Sequence, residues 1–175
     1  MRILKHLLDS DPARLDELPT GRGIYAPYDH ARKPRYIGIT GNLIDRIFKR
    51  HVGGDGNSHK FSTIFNAGRM FHNRKIEGSN KIDGSIAKGL RRVFAREYCS
   101  AVAIPLPQLV DNQLRELEAE VIGLAPHEAI LWNGSRVLEA IEPESRVNEL
   151  LAKLSWPAEH LQAIERQAAV WRALK

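Results

Sequence analysis

The chain has a single cysteine, Cys99. One thiol closes no internal disulfide and offers no cysteine cluster for zinc. Nor is there an apolar run of roughly 18 residues, so no membrane span is expected. The opening stretch MRILKHLLDSD holds too short an apolar run for a signal peptide, and the cytoplasm is the expected compartment. Repeats and low-complexity tracts are absent. The 175 residues suit one domain with a small helical appendage. With 43% hydrophobic and 27% charged residues, the composition is that of an ordinary globular protein.

Acidic residues are scarce in the central region. The net charge of +5 is unevenly spread: residues 21–67 and 68–97 each carry eight basic side chains against three acidic ones, whereas 98–135 carry one against five. Such an excess fits a polyanionic partner, and it fits simple solubility about as well.

Periodicity and punctuation divide the chain as follows. Residues 2–8 and 12–18 read as short helices, with Asp11 as N-cap and Pro12 at the first helical position. Residues 23–28 and 35–39 read as antiparallel strands joined by Asp29–Pro34. A helix is expected over 42–51, ended by Gly53-Gly54-Asp55-Gly56. Residues 57–83 show no sustained period. A helix over 85–96, weakened by Gly89, precedes a strand from Tyr98 to Ile104 that Pro105-Leu106-Pro107 closes. The most regular helix spans 112–124, and further helices are expected at 144–154 and 158–173.

The helix at 112–124 places an acid on its buried face. Advancing about 100° per residue from Leu114 puts Leu117, Val121, Ile122 and Ala125 in one stripe and Glu118 inside it, at about 40°. A carboxylate there needs an ion pair, hydrogen bonds or a metal. A buried ion pair with arginine and a hard-cation ligand in a cleft both satisfy this, and one carboxylate plus waters suits Mg²⁺. In the helix at 42–51, Arg46 and Arg50 are neighbours four residues apart. They are either two solvated surface cations or the two sides of a phosphate contact. His51 falls on the apolar face of that helix.

The ordered set Gly23-Ile24-Tyr25, Tyr36-Ile37-Gly38, Arg46, Glu118 within Leu117-Glu118-Ala119-Glu120-Val121-Ile122, and Trp132-Asn133 resembles the GIY-YIG nuclease superfamily. The stretch Tyr36-Ile37-Gly38-Ile39-Thr40-Gly41-Asn42-Leu43 is similar to the strand-to-helix segment of that family. The resemblance covers residues 22–134, with a long middle insert. It implies an α+β fold, a small three-stranded antiparallel sheet flanked by helices. The expected organisation is an N-terminal helical segment (1–20), a nuclease domain (21–135) with a basic insert at about 57–97, and a helical C-terminal extension (136–175).

The activity implied is hydrolysis of DNA phosphodiesters with one divalent ion, Mg²⁺ or Mn²⁺. Glu118 would be the metal ligand and Arg46 the contact to the scissile phosphate. Tyr25 would be the general base or orient the attacking water, with Tyr36 on the same surface and Asn133 nearby. Many members carry histidine or lysine one helical turn after the arginine. Here that position is Arg50, which cannot act as a base, and His51 follows. His59, in the loop beyond, is a second candidate base. These roles agree with elementary chemistry, because arginine matches phosphate oxygens. A phenol with an ordinary pKa of about 10 needs help to lose its proton.

Arg50, His51, Lys60, Arg69, Arg74, Lys75, Arg91 and Arg92 are the expected nucleic-acid contacts, with Asn73 and Asn80 as potential base readers. A solvated basic loop would have the same composition. A homodimer, packed through the C-terminal helices, would suit double-strand cleavage at a palindromic site. Restriction, mobile-element and repair roles are all open, as is a non-cleaving nucleic-acid-binding module on the same fold.

Overall fold

Alternation in GIYAPY makes the central strand. Ile24, Ala26 and Tyr28 face one side and join the core, while Tyr25 between them faces the other. In this computed structural model, residues 2–54, 59–73, 75–76, 81–134 and 138–175 are described. In chain order the elements are α1 (Arg2–Asp9), β1 (Ala13–Arg14), β2 (Gly23–Tyr28), β3 (Gly38–Thr40), a π-helical segment (Asp45–His51), α2 (Lys60–Ile64), α3 (Lys81–Tyr98), β4 (Ser100–Pro105), α4 (Asp111–Leu124), α5 (Glu144–Leu154) and α6 (Ala158–Ala173). Single 3-10 turns occupy Gly68–Met70 and His127–Ile130. The chain divides into two units, Met1–His51 with Arg96–Val137, and Val52–Ala95 with Leu138–Lys175. No helix among the described residues is long and apolar enough to cross a membrane.

The first unit is built on an antiparallel sheet of four strands in the order β1-β4-β2-β3. The fold class is the expected α+β, with one strand more than the expected three. The additional strand is β1, at the start of the helix expected over 12–18, a stretch that also holds Leu15 and Leu18. Instead Ala13 and Arg14 pair with Ala101 and Ser100 at the edge of β4, and both leucines are buried. A free strand edge offers backbone partners that override weak local helix preference.

Helices α1 and α4 cover the face of the sheet carrying Ile24, Ala26, Tyr28 and Val102. From α4 come Leu114 and Val121, with Leu117 and Ile122 partly buried beside them, as its apolar stripe requires. Tyr28 Oη donates to the Leu7 carbonyl at 2.8 Å, tying α1 to β2. The loop between β2 and β3 is held by Asp29, whose carboxylate accepts from the backbone of Ala31 and Lys33 and from Arg35 Nε.

The second unit combines the expected insert with the expected C-terminal extension. Phe61, Phe65 and Phe94 form its aromatic core. Ile141 N donates to the Ile64 carbonyl at 2.7 Å, and α6 packs on the Gly68–Met70 turn. Arg69 is paired with Glu142 and also donates to Asn148. Arg166 grips the buried Asp83 through Nε and Nη2 at 2.7 and 2.9 Å. Arg91 is itself buried and donates through Nη1 to Asn66 Oδ1 and to the Met70 carbonyl. Two insert cations, Arg69 and Arg91, are thus parts of the unit's internal scaffold.

Candidate active site

Tyr25 lies on the sheet face opposite α1 and α4, fully buried, with Gly38 across the ladder on β3. The glycine has a steric reason. A Cβ on Gly38 would sit 2.5 Å from Tyr36 Cε1 and 2.8 Å from Tyr36 Oη, because the Tyr36 ring folds back over that position. Gly23 is constrained from the other strand, since a Cβ there would meet the Ile104 carbonyl oxygen at 2.1 Å. The two motif glycines therefore permit close backbone approach and a seat for the second tyrosine. The Tyr25 and Tyr36 rings end up with centroids 6.0 Å apart, tilted by 45°.

The helix expected over 42–51 is a π-helix from Asp45 to His51. In a regular α-helix, five residues are about 140° out of phase, which would turn His51 away from Arg46. Closing the ring from i to i+5 instead brings residues five apart onto one face, and such π segments recur at functional sites. His51 is accordingly buried against the tyrosines. Its Nε2 shares a 2.8 Å hydrogen bond with Tyr25 Oη. Its ring lies 5.7 Å from that of Tyr25 and 5.9 Å from that of Tyr36. Its expected role as a nucleic-acid contact is therefore corrected: it is an interior partner of Tyr25. The sign available in the sequence was its place on the apolar face of the helix.

Arg46, half-buried, engages both phenols. Burial pushes the Tyr25 phenol up, well above its ordinary value. The Tyr36 phenol and Glu118 add to the rise, and Arg46 opposes it. Tyr36 is raised for the same first cause, burial, reinforced by Glu118 and again opposed by Arg46. The guanidinium keeps its charge: burial disfavours it, but its contacts with the two phenols outweigh that and raise its pKa. With Tyr25 protonated, its O–H can donate to an unprotonated Nε2, which is the arrangement a proton relay needs.

Glu118 approaches from α4. Its Oε1 accepts from the Ile39 amide of β3 at 3.2 Å. Burial raises its pKa, and only that backbone bond works the other way. Among the described residues it makes no ion pair with an arginine. A half-buried carboxylate without a counter-cation fits a divalent ion held by one protein oxygen and several waters. No cluster of three or more His, Cys, Asp or Glu side chains with metal-binding geometry occurs among the described residues.

Asn133 has a different place from the other candidates. Its Oδ1 accepts from Ile37 N at 2.9 Å and its Nδ2 donates to Ile37 O at 2.6 Å. The neighbouring Trp132 N donates to Arg35 O at 2.8 Å. The side-chain amide thus imitates one residue of a further strand, closing the open edge ahead of β3. It is a positioning residue for the segment carrying Tyr36.

The remaining expected site residues are distributed as follows. Arg50 is exposed and paired with Asp45 at 2.9 Å. His59 and Lys60 belong to the second unit, at the N-cap and first residue of α2, and burial lowers the Lys60 pKa. Lys75 and Arg92 are exposed. Arg69 and Arg91 are corrected, since one is held by Glu142 and the other is 1% exposed. Arg74 and Asn80 lie outside the described residues. Comparison with protein-family models, with curated proteins and with solved structures found no match to this chain.

Proposed function

We propose that the protein is a divalent-metal-dependent endonuclease that hydrolyses DNA phosphodiester bonds, with the first unit carrying the chemistry. The observation that carries this is the meeting of Tyr25, Tyr36, Arg46, His51 and Glu118. Three acid–base groups, one cation and one uncompensated carboxylate come from four separate segments of the chain. Four of them, Tyr25, Tyr36, Arg46 and Glu118, also belong to the resemblance to GIY-YIG nucleases; His51 does not.

Water must lose a proton as its oxygen attacks phosphorus, and the phosphoryl oxygens must be neutralised. A buried phenol is a poor base by itself. Tyr25 is covered by protein, so a side-chain movement must first admit the water; Tyr25 then takes its proton as the phenol's own proton passes through the 2.8 Å hydrogen bond to His51 Nε2. The new P–O bond forms with water oxygen. The P–O bond to the departing sugar oxygen breaks, and that oxygen is protonated from solvent. Arg46 offers its planar donors to the phosphate while its contacts with the phenols fix its direction. A metal ion bound by Glu118 would supply Lewis-acid neutralisation of the phosphoryl oxygens.

The test is incubation of supercoiled plasmid with the purified protein and Mg²⁺ or Mn²⁺, with a chelator control. Nicked or linear product that disappears with chelator and returns with metal is the expected result. Salt-sensitive binding without cleavage under either metal would replace the proposal with a DNA-binding module.

A further inference from the structure

Helix α3 carries a cationic face that the candidate active site does not use. Counting about 100° per residue, Lys81, Ser85, Lys88, Gly89 and Arg92 fall within one stripe of roughly 100°. Lys81, Ser85 and Arg92 are exposed, and Lys88 and Gly89 are half-buried. The opposite face is the one that packs, through Asp83, Ala87, Leu90, Arg91 and Phe94. The only acid in the second-unit part of the helix, Asp83, is buried and held by Arg166. The stripe therefore has one sign of charge. Arg92 is directed by a 3.0 Å bond from Nη2 to the Gly53 carbonyl, which leaves further guanidinium donors.

Gly89 points the same way. Glycine inside a helix costs about 1 kcal/mol relative to alanine. A Cβ there would meet nothing within 4 Å, so the packing of the protein does not require its absence. Glycine and serine between cations make the face low and let an extended polyanion approach the helix closely.

We propose that this face of α3 binds the sugar-phosphate backbone of duplex DNA. It shares with the nuclease assignment only the identity of the polymer. From Lys81 to Arg92 the stripe extends about 16 Å along the axis. Duplex DNA presents one charge per roughly 1.7 Å, so several phosphates face the stripe. Charge complementarity and the absence of aromatic side chains from the stripe favour a duplex backbone over stacked single-stranded bases.

The experiment is fluorescence anisotropy of a labelled DNA duplex with the full-length protein, without divalent metal, across a salt series. The variants are Lys81→Ala/Lys88→Ala/Arg92→Ala and, separately, Gly89→Glu. Gly89→Ala serves as a control that tests helix propensity alone. The triple variant is expected to bind at least tenfold more weakly and to lose about 2 to 3 from the slope of log affinity on log salt. Gly89→Glu is expected to weaken binding and Gly89→Ala to leave it near wild type. Wild-type affinity and slope in the folded triple variant would overturn the proposal. Equal, stripe-dependent binding of duplex RNA or single-stranded DNA would overturn the assignment to duplex DNA. Because no metal is present, a protein that cuts but ignores these changes refutes only the stripe. One that binds through the stripe and never cuts refutes only the nuclease.

Discussion

Tyr25 is a phenol surrounded by protein, and that setting favours its protonated form. In the proposed hydrolysis its use as a base would therefore depend on His51. Substituting His51→Ala removes the acceptor for the phenol proton while leaving Arg46 and Glu118 in place. The single-turnover rate is expected to fall by about 10² to 10⁴, the usual contribution of acid–base catalysis. DNA affinity measured without metal should stay unchanged. An unaltered rate in the folded variant would remove His51 from the chemistry. Tyr25→Phe should be as damaging, and the double variant little worse than either single one, because the two side chains act in series.

At the scale of elements, the segment leading through β3 has an edge with no strand beyond it. Its groups are satisfied by the Trp132 backbone, by the Asn133 amide at Ile37 and by Glu118 at Ile39. Asn133→Ala deletes two of these bonds. It should lower stability by about 1–3 kcal/mol, at roughly 1 kcal/mol per bond or more where groups are left unsatisfied, as read by chemical denaturation. Its kinetic effect should appear as a loss of turnover through a displaced Tyr36, without loss of metal binding.

Much of this level was legible in the sequence. Strong periods gave α4, α5 and α6, and alternation with turn residues gave β2. What was not legible has physical causes. Ala13-Arg14 became strand because an edge of β4 was free to pair with it, which no local window contains. The π-helix depends on an i to i+5 ring closure that an α-helical wheel does not consider. The wheel therefore turns His51 away from Arg46, although it does place His51 on the apolar face. Motif order alone names Tyr25, Tyr36, Arg46 and Glu118 as candidates, and local periodicity says nothing of how they meet. Arg69 and Arg91 could not be sorted from Arg92, because a charge count does not separate a buried or paired cation from an exposed one.

Across the whole molecule, the two units differ in charge. The second holds 13 of the basic residues against 9 acidic ones, while the first is nearly neutral, at 13 against 12. The integrity of the second unit rests in part on Arg166 and Asp83. Their hydrogen bond, with the attraction between the charges, holds the Asp83 carboxyl below its ordinary range against the opposing effect of burial. A depressed carboxylate contributes stability above its unfolded value of about 3.9, and loses it as pH falls through the lower folded value. Thermal midpoints of wild type and Asp83→Asn should thus differ at neutral pH and converge in acid. Parallel curves would show that the pair does not contribute.

The central claim is that Glu118 acts as a charged metal ligand and is more than an acceptor for Ile39. Glu118→Gln separates the two, because glutamine retains an amide oxygen for the Ile39 hydrogen bond and loses the charge. Single-turnover cleavage of plasmid DNA in saturating Mg²⁺, with folding verified by an unchanged thermal midpoint, is the decisive measurement. Loss of roughly 100-fold or more in rate, with DNA binding in the absence of metal intact, is the predicted result. Undiminished cleavage by the folded Glu118→Gln variant would contradict it.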